Sequence, residues 1–396
     1  MKDLKLSRRI AALAPSSTTA AGRKAKALAA SGVDVVDLSI GEPDFPTPDF
    51  VGRAGTRAIA AGRTKYTDVA GEGPLRDAIA QKYVREQGAA AARENVIVTA
   101  GAKQAVFNVC QALFDEGDPV ALFSPYWVSF PEMVRLTGAT PAFVPTDIAS
   151  GWAPTAAALE RSAPAGARGV ILNSPNNPTG AVVSQAELER IVDWCAARDA
   201  WLVYDETYDR FLYDGRRHAS AAALRSRYER IVVTGAASKT WAMTGWRLGW
   251  ALGPAELVTA ISSYQSHTTS NASSISQAAG LEALTDLEST ATAVAGMLAR
   301  YEARRKIMVE GLSGIAGIRC PNPEGAFYAF ADVSGLYGRK GVTGSVGFCD
   351  RLLAEAHVAA VPGDAFGDDA CVRFSFATDE ARIAEAVRRI AAWAKG

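Results

Sequence analysis

Ile231-Val-Val-Thr-Gly-Ala-Ala-Ser-Lys-Thr-Trp-Ala-Met-Thr-Gly-Trp-Arg247 begins as an apolar run, passes through small residues, and delivers a lysine at 239 and an arginine at 247. A continuous β-branched run suits a strand buried on both faces. Four runs of similar character precede it, at Val96–Thr99, Val120–Phe123, Val170–Asn173 and Trp201–Tyr204. Helical patterns lie between them, such as Gln185–Arg198 with apolar Leu188, Ile191, Val192 and Cys195. This alternation predicts an α/β domain with a mostly parallel sheet flanked by helices.

Toward the ends the pattern changes. Residues up to Pro46 are rich in turn formers, and a long polar helix is expected over Leu287–Leu312, followed by short strands near Phe327–Phe330 and Val372–Phe376. We read residues 47–285 as a large domain. Residues 1–46 and 286–396 form a smaller α+β domain built from both termini. The alanine-rich stretches Ala89–Ala92, Ala156–Ala158 and Ala221–Ala223 read as helix filler.

Composition excludes several classes. The 396 residues carry 42 basic and 42 acidic side chains, so no charge excess attracts nucleic acid or an anionic membrane. Five scattered cysteines without a Cys-x-x-Cys, and three scattered histidines, suggest neither a disulfide framework nor a metal site. The apolar run Ile10–Ala14 is too short for a signal peptide, and no run approaches a membrane span. A soluble, cytoplasmic protein without a metal is expected.

Open α/β sheets bind ligands beyond the C-terminal ends of their strands. Here those ends lead into Gly101-Ala-Lys, Ser124-Pro-Tyr-Trp127, Ser174-Pro-Asn-Asn-Pro-Thr-Gly180, Asp205-Glu-Thr-Tyr208 and Gly235-Ala-Ala-Ser-Lys239. Together they supply an aromatic plane, an amide, a carboxylate, a phenol, a lysine and a helix N-terminus. Pyridoxal phosphate needs such parts. Its aldehyde takes a primary amine, and its ring nitrogen needs an anion. Its phosphate needs N–H groups and cations.

Ser238-Lys-Thr-Trp-Ala-Met-Thr-Gly-Trp-Arg-Leu-Gly249 resembles the lysine motif of class I pyridoxal-phosphate aminotransferases, and Asn173–Gly180 resembles their Asn-Pro-Thr-Gly loop. Gly41-Glu-Pro-Asp-Phe45, Lys65-Tyr66, Ser124–Ser129 and Val372-Arg-Phe-Ser375 match in the same order. The likeness is strongest to the bacterial aspartate and aspartate/prephenate aminotransferases. It implies the fold-type-I architecture and pyridoxal 5'-phosphate as cofactor.

By position, the resemblance makes Lys239 the cofactor-binding and proton-moving lysine, and Asp205 the partner of the pyridine nitrogen. It places Asn177 and Tyr208 on the ring oxygen, and Trp127 against the ring. Ala102, Lys103 and Arg247 fall at the phosphate, with Tyr66 reaching the phosphate of a neighbouring subunit in a homodimer. Gly41, Arg373, Trp127 and Asn177 contact the substrate, whose α-carboxylate falls to Gly41 and Arg373. Ala236 stands where many relatives have a phosphate-binding serine, a role left to Ser238 or Thr234. Ser263–Ala272 contains no arginine to meet a distal carboxylate. Lys103, with Thr18, takes that role by resemblance to bacterial members. The implied reaction is ping-pong amino transfer between aspartate and 2-oxoglutarate, with prephenate among the candidate substrates. Rival readings are an aminotransferase of aromatic or alanine specificity, a carbon–sulfur lyase, and a transcription regulator with an aminotransferase-like domain. The early Gly41-Glu-Pro segment argues against the last.

Alone, several of these residues have plainer readings. Asp205 could cap a helix, and Arg373 could be an exposed edge-strand charge. Lys103 is less easily dismissed, since a cation in the first helical turn opposes the helix dipole at a cost of a few tenths of a kcal/mol. Glu42, Asp44 and Tyr126 are expected to be structural.

Overall fold

The computed structural model describes residues 5–11, 13 and 17–396. Its strands, in chain order, are β1 (Val36–Asp37), β2 (Val96–Thr99), β3 (Pro119–Ser124), β4 (Thr140–Pro145), β5 (Gly169–Asn173), β6 (Trp201–Asp205), β7 (Ile231–Ala236), β8 (Gly249–Leu252), β9 (Tyr328–Asp332), β10 (Val358–Ala359), β11 (Val361–Pro362) and β12 (Cys371–Ser375). Three helices matter for the site: α1 (Ser17–Ala30), α2 (Ala102–Leu113) and α3 (Leu287–Ser313).

Seven strands form the main sheet, in the order β2-β8-β7-β6-β5-β3-β4. Only β8 runs against its neighbours. The other six are parallel, so their C-terminal ends share one edge. All five strands expected from the apolar runs are present. Their side chains alternate between the two halves of the main core, one on each face of the sheet. Val170, Leu172, Leu202, Tyr204, Ile231 and Val233 enter one, while Ile171, Val203 and Val232 enter the other, beside α2. Burying both faces is what makes these strands read as unbroken apolar runs.

A second core gathers around the antiparallel sheet β11-β12-β9 and the short parallel pair β1-β10. It joins Val36 and Leu38 near the N-terminus to Phe327, Phe348, Phe374 and Ile383. We propose the 46/47 and 285/286 division on this partition. Tyr208, Phe211 and Tyr213 also pack into the second core, so the chain after β6 bonds the two units together.

One expectation needs correction. Ala89–Ala92 is not helical, because Gly88, with φ 63°, ends the helix Gly73–Gln87 in the left-handed region and the chain turns away.

Candidate active site

A cavity of about 490 Å³ opens at the C-terminal edge of the main sheet. Gly41, Ala102, Lys103, Trp127, Asn177, Asp205, Tyr208, Lys239, Arg247 and Arg373 all line it. Tyr66 does not; it stands 89% exposed on the surface. Thr18 belongs to α1, but its side chain lies outside the described residues.

Lys239 follows β7 in a short helix and donates to the Gly41 carbonyl at 2.6 Å. Burial, reinforced by the positive field of Arg373 and Arg247, pulls its amine down to about 8, against the opposing pull of Glu42. Asp205 ends β6 on the α2 face of the sheet. Its Oδ1 accepts from the Thr207 hydroxyl at 2.7 Å and the Thr207 amide at 3.0 Å. Burial still raises its carboxyl to about 6.

Asn173 ties the neighbouring loops together. Its amide donates to the Asp205 carbonyl at 3.0 Å, and its oxygen accepts from the Asn177 backbone N–H at 2.9 Å. Asn177 Oδ1 accepts from Arg373 Nη1 at 3.0 Å, which leaves its amide nitrogen to donate elsewhere. Arg373 is buried on the central strand β12, not an edge charge, and its Nη2 donates to the Ser39 carbonyl at 2.8 Å. Its Nε is sealed from solvent and has no partner among the described residues.

At the other end of the cavity, α2 begins after Gly101, whose φ is 85° and which offers no capping side chain. The first N–H groups of α2 are therefore left for an anion. Arg247 lies beside them, donating to the Thr244 and Ala100 carbonyls at 2.9 and 3.3 Å. Lys103 sits 4.8 Å over the Trp127 ring and donates to Ser129 Oγ at 3.1 Å. Desolvation and then Arg247 lower its pKa. Of the two hydroxyls considered near Ala236, Ser238 lines the cavity, whereas Thr234 is sealed in the core without a partner among the described residues.

The sequence reading missed several lining groups. Tyr328, on β9, meets the Tyr208 hydroxyl at 2.8 Å and lies 4.5 Å under the Arg373 guanidinium. Glu42 lines the cavity and accepts from Thr244 at 2.8 Å. Asp44 does pair structurally, with the buried Arg304 at 2.8 Å. Arg23 and Lys26 of α1 also line the cavity. Helical spacing would have grouped Arg23 and Lys26 on one face, but nothing in the sequence says what that face meets.

The model for aminotransferases of class I and II matches residues 33–390. The chain belongs to this family. It is 42% identical over 386 residues to the aspartate/prephenate aminotransferase of Thermus thermophilus, covering 98% of each chain. A bifunctional aspartate aminotransferase and glutamate/aspartate-prephenate aminotransferase of Petunia hybrida is 40% identical, with 98% of this chain and 82% of that protein covered. Among solved structures, the Thermus thermophilus aspartate aminotransferase with maleate matches with a TM-score of 0.93 and 41% identity, covering 98% of this chain and 99% of that one. The Rhizobium meliloti aspartate aminotransferase matches at 0.93 and 38%, covering 99% of each.

Class I aminotransferases use pyridoxal 5'-phosphate, and the residues of this cavity fit it. Asp205 is a buried carboxylate whose side-chain hydrogen bonds, among the described residues, come from Thr207, and the burial that raises its pKa is a cost that a pyridinium beside it would offset. The uncapped start of α2 beside Arg247 fits the phosphate. Lys239 is a buried amine with a depressed pKa, suited to attack an aldehyde.

Proposed function

We propose that this aminotransferase moves an amino group between aspartate and 2-oxoglutarate, with prephenate as a further acceptor. The carrying observation is Lys103, a cation in the cavity wall whose hydrogen bond goes to a neutral hydroxyl and which has no ion pair among the described residues. It stands ready for a carboxylate at the far end of a substrate. The named activities of the relatives agree with that choice.

Pyridoxal phosphate, when bound, supplies an aldehyde for the amino nitrogen and a ring that draws electrons from the α-carbon. The side chains do the rest. Arg373, whose side chain lines the cavity, holds the α-carboxylate. Lys239 Nζ takes the proton from the α-carbon and returns it on the cofactor side; an amine near 8 can do both near neutral pH. Asp205 keeps the ring nitrogen protonated. The Asn177 amide and Tyr208 hydroxyl would donate to the ring oxygen, and Trp127 would pack against the ring. A 2-oxo acid then receives the amino group by the same movements reversed.

The site is proposed to need two copies of the chain. Tyr66 projects from the surface, while a separate cleft of about 710 Å³ opens beside Arg247. Tyr66 of one copy would enter that cleft on the other.

Replacing Lys103 with alanine tests the specificity. A charge-assisted hydrogen bond of about 1.5–3 kcal/mol predicts a loss of about 10- to 100-fold in kcat/KM for aspartate. Alanine and phenylalanine should lose far less. An equal loss for all three would place Lys103 on the phosphate or in the fold instead.

A further inference from the structure

Helix α1 presents Thr19, Gly22, Arg23 and Lys26 to the cavity, positions that share one helical face. The helix is moored from behind. Ala25 is buried, Ala21 packs against the cluster of Trp152, Phe330 and Phe366, and Lys24 pairs with Asp350 at 2.6 Å. Of the three cations along this stretch, Lys24 is thus engaged in holding the helix. Arg23 and Lys26 have no ion pair among the described residues.

The carboxylates of the cavity are hydrogen-bonded to neutral groups and form no ion pair with Arg23 or Lys26 among the described residues. Asp37 accepts from the Ser39 amide at 2.9 Å and its hydroxyl at 2.6 Å. Glu42 accepts from Thr244, and Asp205 is set for the ring nitrogen. Six cations therefore line the cavity against three carboxylates. The proposed reaction uses Lys239, Arg247, Arg373 and Lys103. It gives no work to Arg23 or Lys26.

We propose that Arg23 and Lys26 form a second carboxylate-recognition wall, selecting dicarboxylic amino and 2-oxo acids with longer chains than aspartate. This rests on the dicarboxylate reading of the site. Arg373 fixes one end of every substrate, so each added methylene carries the other carboxylate farther along the cavity. The remaining unpaired cations in its wall are on α1. Both are long, flexible side chains, and their exposure at the rim lets them follow carboxylates of different reach. A rim of one sign also concentrates anionic substrate.

The test compares L-2-aminoadipate, L-glutamate and L-aspartate in the wild-type holoenzyme and in a Arg23→Ala, Lys26→Ala double variant. The ratio of kcat/KM for 2-aminoadipate to that for aspartate should fall about tenfold or more in the double variant. The fall should lie in KM, with glutamate intermediate. Exchanging the two side chains, Arg23→Lys with Lys26→Arg, should restore the ratio. An unchanged ratio overturns the proposal, as does an equal loss for all three substrates, which would mean that α1 has merely been disturbed. A wild-type enzyme that turns over no dicarboxylic acid overturns the proposed function itself, a result separable from an intact aspartate activity with an unmoved ratio.

Discussion

The two groups that most define the proposed chemistry are perturbed in opposite senses by the same burial. Desolvation disfavours charge, so it lowers an ammonium and raises a carboxylate. Lys239 falls to about 8 and Asp205 rises to about 6. For Lys239 the nucleophile is the neutral amine, and a lowered pKa enlarges that fraction at neutral pH. The rate at which apoenzyme captures pyridoxal phosphate should therefore rise with pH and level off above about 8. A midpoint near about 10.4, the value of an ordinary lysine, would contradict this assignment. Borohydride reduction of the holoenzyme should label Lys239 and no other lysine. Asp205→Ala should slow single-turnover proton abstraction at least about a hundredfold while weakening cofactor binding less, since the lost anion acts mainly on the electron-withdrawing form of the ring. Undiminished abstraction would remove Asp205 from the mechanism.

At the scale of elements, the proposed phosphate end depends on how closely β8 passes the start of α2. A Cβ on Gly249 would overlap the Ala102 nitrogen and the Gly101 carbonyl carbon, both backbone atoms that cannot swing aside. Gly249→Ala should push the N-terminus of α2 away. Affinity for pyridoxal phosphate should then drop about tenfold or more, while affinity for phosphate-free pyridoxal changes little; titration of the apoenzyme with both compounds separates the two. Such an approach is invisible in sequence, and so was β8 itself. Gly-Trp-Ala-Leu is too short to show a period and directly continues the lysine motif. Strand β4 escaped notice for another reason: Pro141 and Pro145 break its pattern, which an edge strand tolerates. The long buried strands, by contrast, announce themselves by composition, and they carry Asn177, Asp205 and Lys239 at their ends. Groups brought in from the second core, such as Tyr328 and Ser39, come from distant parts of the chain and left no local signal.

At the scale of the whole molecule, the cavity within one chain accounts for every proposed cofactor contact except Tyr66. Tyr66 stands 89% exposed, and its apolar ring with a polar tip suits an interface that is partly wet. In a two-fold dimer the same surface is used by both copies, so Tyr66 of each can complete the phosphate end of the other. Sedimentation at low concentration should show a dimer, and activity should fall with dilution as it dissociates. Complementation tests the shared site directly. Tyr66→Ala and Arg247→Ala chains should each be weak alone because both of their sites lack a phosphate contact. When the two are mixed and allowed to exchange, half of the dimers are hybrids. Each hybrid contains one site with both changes and one with neither, because the Arg247 of one chain then faces the Tyr66 of the other. Activity should recover to about a quarter of wild type at equal mixing, the fraction of sites that symmetry restores. If Tyr66 served its own chain, every site in the mixture would carry one of the two changes, and mixing would restore nothing.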